Sequence, residues 1–228
     1  MPEMNVIRVT GIGRIKLNPD LTTISMTLEG GCKEYDETLQ KSSDDTEILK
    51  NMLEKLGFDR SEVKTIYFHI SKKEKSVHVA DGEYEQKLLG YSYQHEMKVS
   101  FDIDNQRLGR ILYTLAHAKQ ITPQFSVSYS VKDSETAKNL LLENAIKDAK
   151  DKAETMARAA GVALGKIKNI DYSWGAINFE STRLGGDAFV CCDDEMEEFD
   201  VDASYNMDIT PTDIETSDNV TLIWEIMS

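Results

Sequence analysis

The chain has 228 residues, of which 40% are hydrophobic and 29% charged. That is enough chain to bury a substantial core, and no apolar run approaches the roughly eighteen residues of a membrane span. The net charge of −14 is uneven: all 26 Lys and Arg residues lie at or before Arg183, whereas the last 45 residues carry 13 acids and no Lys or Arg. An end of that sign repels phosphate backbones and no basic stripe offsets it, which predicts no nucleic-acid partner.

The first predicted strand runs from Val6 to Leu17 and contains Gly11-Ile12-Gly13. A dinucleotide-binding turn would need a third glycine where Lys16 stands, and a helix directly after it. Arg14-Ile15-Lys16-Leu17 instead continues the alternation of a half-buried strand. Ile7, Val9, Gly11, Gly13, Ile15 and Leu17 then share one face, so both glycines fall where another element should pack closely.

Asn18-Pro19-Asp20 supplies turn chemistry, and Ile24, Met26 and Leu28 mark a second strand, predicted to form a hairpin with the first. A helix over about 35 to 56 follows, with Leu39, Ser42, Thr46, Leu49, Met52, Leu53 and Leu56 on one face and Gly57 at its end. Val63 to Ser71 reads as a third strand, and polar residues 72 to 86 as the mobile end of a hairpin. Tyr91, Tyr93, His95, Met97, Val99, Phe101 and Ile103 then alternate along a fourth strand. Asp104 opens a short helix with Leu108, Ile111, Leu112 and Leu115 in its stripe. Phe125 to Val131 is a period-two strand with one face predicted toward solvent.

Asp133 is a predicted N-cap for a long helix ending at Ala160-Gly161. Its stripe is mainly alanine (Ala137, Leu141, Ala145, Ala149, Ala153, Met156, Ala157, Ala160), small enough to lie against Gly11 and Gly13. Leu164 to Tyr172 forms a sixth strand, periodicity fails from about 173 to 212, and Val220 to Ile226 is a last strand. These elements predict an α+β fold: antiparallel sheet built from hairpins, about three amphipathic helices packed on one side, and two loosely similar βα halves.

Few residues suggest chemistry. His95 lies on an apolar strand face, where a half-buried ring with one satisfied nitrogen is the structural reading and a general base the functional one. His69, His78 and His117 show no metal-ligand spacing. Asp193, Asp194, Glu195, Glu197 and Glu198 form the weak metal candidate, with calcium as the cation suited to clustered carboxylates. Glu198 stands where an EF-hand turn needs glycine, and a solvated acidic loop is the plainer reading. Cys32, Cys191 and Cys192 read as reduced thiols. GxSxG, P-loop, CxxC and HExxH patterns are absent from the sequence, so no catalytic residue is assigned.

Several separated pieces resemble one family. Val9-Thr10-Gly11-Ile12-Gly13 followed by Asn18-Pro19-Asp20, then Gly90-Tyr91, then Ala149, Lys152-Ala153 and Ala157 leading to Ala160-Gly161-Val162-Ala163-Leu164-Gly165, are similar to the SIMPL-domain family. Ile209-Thr210-Pro211 and Val220 to Ile226 resemble its closing turn and strand. The resemblance implies one domain over 1-228, with an irregular acidic insertion at about 173-212 in which Asp187 to Asp202 departs from the family by exceeding its usual connection. Family members include bacterial periplasmic or surface proteins linked to oxidative-stress defence, an immunogenic bacterial protein that assembles into a ring-like oligomer, and an animal protein associated with kinase signalling. No established catalytic residue or cofactor comes with it.

The resulting expectation is a non-enzymatic, self-associating scaffold or stress-related binding module, a homo-oligomer with room for a protein partner. A start without a basic and apolar leader adds a cytoplasmic location to that expectation. The alternative is a calcium or small-ligand binding protein that uses the acidic 187-202 segment.

Overall fold

Two β-sheets carry the fold, one drawing its strands from both chain ends and the other built from four strands consecutive in the sequence. The computed structural model describes residues 5–78, 84–172, 177, 179–180, 204–206 and 208–227. One sheet has three strands, β1 (Val6–Leu17), β7 (Ile214–Met227) and β6 (Ala163–Asp171), in the order β1-β7-β6. The other has four, β3 (Lys64–His78), β4 (Tyr84–Asp102), β2 (Leu21–Cys32) and β5 (Gln124–Ser130), in the order β3-β4-β2-β5. With α1 (Tyr35–Lys55), α2 (Asn105–Ala116) and α3 (Ser134–Ala160), the architecture is α+β with antiparallel sheets.

The chain divides into two compact units, one of Met1–Asp20, Ser130–Ser181 and Pro211–Ser228, the other of Leu21–Tyr129 and Thr182–Thr210. The first unit is assembled from both chain ends and the middle of the sequence.

In that unit β1 pairs with β7 along its whole length, from Val6↔Glu225 to Leu17↔Ile214. The predicted β1–β2 hairpin therefore does not form. Pro19 offers no N–H, and Asp20 instead donates its amide to the Ser130 carbonyl while its carboxylate accepts from the Lys132 amide at 2.8 Å. Alternation alone identified both strands but carried no information about their partners.

The glycine reading holds. A β-carbon at Gly11 would lie 2.0 Å from the Ala145 carbonyl oxygen, and one at Gly13 would lie 2.0 Å from that of Leu141. Two missing side chains let α3 lie directly on β1. Asp133 caps this helix by accepting from the Thr136 amide at 2.9 Å, and Gly161 closes it in the left-handed region that favours glycine. Ala137, Leu141, Ala145, Ala149, Ala153 and Ala157 form its buried stripe in strict steps of four. Met156, 49% exposed, and Ala160 fall off that stripe, contrary to expectation.

The same helix also covers the outer edge of β1. Asp148 accepts from the Ile12 amide at 2.7 Å, Asn144 donates to the Arg14 carbonyl at 3.2 Å, and Lys152 reaches the Thr10 carbonyl at 3.4 Å. Residues 144, 148 and 152 are one turn apart, and Thr10, Ile12 and Arg14 alternate along the strand. Side chains thus occupy backbone groups that an edge strand would otherwise present.

In the second unit α1 and α2 pack over one face of the four-stranded sheet. Ile24, Met26 and Leu28 of β2 and Met97, Val99 and Phe101 of β4 meet Leu49 and Leu53 of α1 and Leu108, Ile111, Leu112 and Leu115 of α2. Each fully buried large side chain of this kind contributes about 1.5–3 kcal/mol. Leu39 and Ile103 were placed on that face but are 44% and 37% exposed, lying at the start of α1 and one residue past β4.

Within the stretch expected to be the mobile end of a hairpin, Lys72–His78 pair with Tyr84–Tyr91. A two-stranded ribbon exposed on both sides needs no apolar alternation, which is why the polar sequence concealed it. Ser128 of β5 is buried between Val127 and Tyr129, so the predicted solvent face of that strand is corrected too.

Candidate functional site

A seam of buried polar side chains lies between α1 and β4. On α1, Thr38, Ser42, Asp45 and Thr46 are all buried, and on β4 so are Tyr93 and His95. Helical spacing puts Ser42, Asp45, Thr46 and Leu49 on one side of α1, and strand alternation puts Tyr93 and His95 beside Met97.

His95 uses both ring nitrogens. Nδ1 lies 2.9 Å from Thr46 Oγ1, and Nε2 lies 2.9 Å from Thr65 Oγ1. The single Thr46 hydroxyl proton is donated to the Ser42 carbonyl at 2.7 Å. Thr46 must therefore accept from the imidazole, which fixes the Nδ1–H tautomer, and Thr65 donates to the Nε2 lone pair. Burial lowers the His95 pKa below its ordinary value, and the nearby Lys50 charge adds to the effect. The ring is neutral, and the Phe68 ring meets it edge-on at 5.1 Å between centroids. The expectation of one satisfied nitrogen is exceeded.

Tyr93 donates its phenol to the Asp45 carboxylate, which also receives Lys41 at 3.1 Å. Burial raises the Tyr93 pKa first, and the bond to Asp45 reinforces it, so the phenol is held protonated. Next along the seam, Thr38 donates to the Glu34 carbonyl and accepts from the Cys32 amide at 3.1 Å, tying the start of α1 to the end of β2. Asp45 and Tyr93 were not singled out from the sequence. A carboxylate at a core-facing helical position, in register with a strand tyrosine, was the signal available.

The other histidines stay apart from this seam. His69 is exposed on β3, His78 lies in the same strand, and exposed His117 stacks on Tyr113 at 4.1 Å. Cys32 is a half-buried free thiol at the end of β2. Asp193, Asp194, Glu195, Glu197 and Glu198, with Cys191 and Cys192, lie outside the described residues. Among the described residues no cluster of three His, Cys, Asp or Glu side chains could hold a metal ion. No described helix is long and apolar enough to cross a membrane.

On the opposite face of the same sheet an open groove of about 670 Å³ crosses β2, β4 and β3, with Glu29, Lys33, His69 and Lys73 at its rim. The two glycines under α3, the seam and this groove lie within one family pattern. A family model described as a protein of unknown function (DUF541) matches residues 7–224, nearly the whole chain. The chain belongs to the SIMPL family. The matched span runs from β1 through β7, so the SIMPL pattern takes in the described strands and helices of both units. Among curated proteins none matches the chain.

Proposed function

We propose that this SIMPL chain is a non-catalytic, self-associating protein, a scaffold or stress-related binding module. The observation that carries the proposal is the edge strand β3. It ends the order β3-β4-β2-β5, and Ile66, Tyr67 and Phe68 in it are 49%, 46% and 45% exposed. An open strand edge with apolar side chains is a template for pairing with another chain. The edge of β1 differs, since Asn144, Asp148 and Lys152 occupy it. Lys64 on one side and Lys72, Lys73 and Lys75 on the other confine the apolar stretch to about 65–71, as charges that limit indiscriminate pairing would.

The non-catalytic part of the reading rests on the seam. His95 has both nitrogens engaged by hydroxyls, and Asp45 is engaged by Tyr93 and Lys41. These groups fasten α1 to the sheet. Light scattering over a wide concentration range tests the assembly. The proposal expects a mass above the 25.7 kDa monomer that Phe68→Glu returns toward monomer. Monomer mass throughout for the unmodified chain would overturn it.

A further inference from the structure

We infer that the groove on the face of the four-stranded sheet opposite α1 and α2 binds a short extended zwitterion, a peptide of three or four residues with free termini. Strand register supplies the argument. Glu29 pairs with Gln94, which pairs with His69; Gly31 pairs with Ser92, which pairs with Ser71; Gly90 pairs with Lys73. These positions share one face, forming two rows across β2, β4 and β3 and a third across β4 and β3.

The middle row is small. Ser71 and Ser92 hydrogen-bond to each other at 3.1 Å, leaving further hydroxyl capacity for the amides of a ligand laid along the strands. Gly31 and Gly90 cannot carry side chains, because their β-carbons would lie 2.3 Å from the Tyr91 carbonyl oxygen and 2.5 Å from that of Cys32. The close crossing that demands these glycines also leaves a bare floor.

The ends of the groove differ in charge. Lys73 and Lys33 line one end, Glu29 with Gln94 and His69 the other. Among the described residues Glu29, Lys33 and Lys73 have no ion-pair partner. A dianion would be repelled at Glu29 and a dication at the lysines, whereas a carboxylate at one end and an ammonium at the other suit both. The outer rows are four residues apart along the strand, roughly 13 Å, which three or four extended peptide residues span. The volume of about 670 Å³ falls in the range of small-ligand sites. This site shares His69 and Ser71 of β3 with the self-association stretch but uses the sheet face, where that reading uses the strand edge.

Calorimetric titration of the full chain with tetra-alanine tests the inference, beside the same peptide acetylated at its N-terminus or amidated at its C-terminus. One-to-one binding is expected, weakened about tenfold or more by blocking either end. Lys33→Glu with Lys73→Glu should weaken it similarly, as should Glu29→Lys, and these rim changes should leave the circular dichroism spectrum unchanged. Ser71→Trp should fill the middle row and abolish binding. Absence of binding at millimolar peptide, or binding indifferent to the blocked ends and to the rim substitutions, would overturn it.

Discussion

At Gly11 the nearest atoms to an added β-carbon are backbone, the Ala145 carbonyl oxygen and the Ala149 amide nitrogen, which no rotamer change can move aside. Gly11→Val must therefore displace α3 from β1. Overpacking of this kind costs 1–3 kcal/mol and more where backbone must shift, so we predict a loss of about 3 kcal/mol or more in urea unfolding. Unchanged stability would contradict the close-packing account. His95 gives a second prediction at this scale. Its pKa is lowered in the folded chain from 6.5, so the unfolded state binds more protons as pH falls below that value. The contribution is complete above pH 6.5 and is lost as pH falls toward the folded pKa. His95→Gln should flatten that part of the stability profile, measured by chemical denaturation at a series of pH values. The glycines were legible because their strand face was fixed by Val9 and Ile15. The tautomer of His95 was not, since Thr46 and Thr65 reach it only through tertiary packing.

Element by element, α3 shows how one helix serves two purposes. Its stripe of alanines seals the face of β1, while Asn144, Asp148 and Lys152 close that strand's edge. The bond from the Ile12 amide and the Lys152 ammonium both hold the Asp148 pKa below its ordinary value, the lysine more strongly. Asp148→Ala should cost about 1 kcal/mol, a modest figure because the group is partly exposed. Thermal unfolding measures it, and a more aggregation-prone variant is expected because an edge amide is released. The period of α3 and its cap were readable in sequence, since each is a local rule. The β3–β4 ribbon was not, because a strand pair wet on both faces has no apolar alternation to display. The β1–β2 hairpin failed for a related reason: adjacency in sequence favours pairing, but Val220, Leu222 and Trp224 of β7 share a core with Val9 of β1, whereas Ile24, Met26 and Leu28 of β2 belong to another.

Across the whole chain, composition and periodicity carried the α+β class, while pairing depended on contacts between ends about two hundred residues apart. Val6 meets Glu225 and Leu17 meets Ile214, a closure no local pattern encodes. The seam was half legible: Ser42, Thr46 and His95 were on the right faces, and Asp45 joined them only in the folded chain. Self-association likewise belongs to this scale, because it depends on which strand edges the fold leaves open. Hydrogen exchange of β3 at low and high protein concentration tests it most directly. The account predicts slower exchange at high concentration for amides within Thr65–Ser71, with Lys72–Val77 unchanged. Equal exchange of Thr65–Ser71 at both concentrations would contradict it.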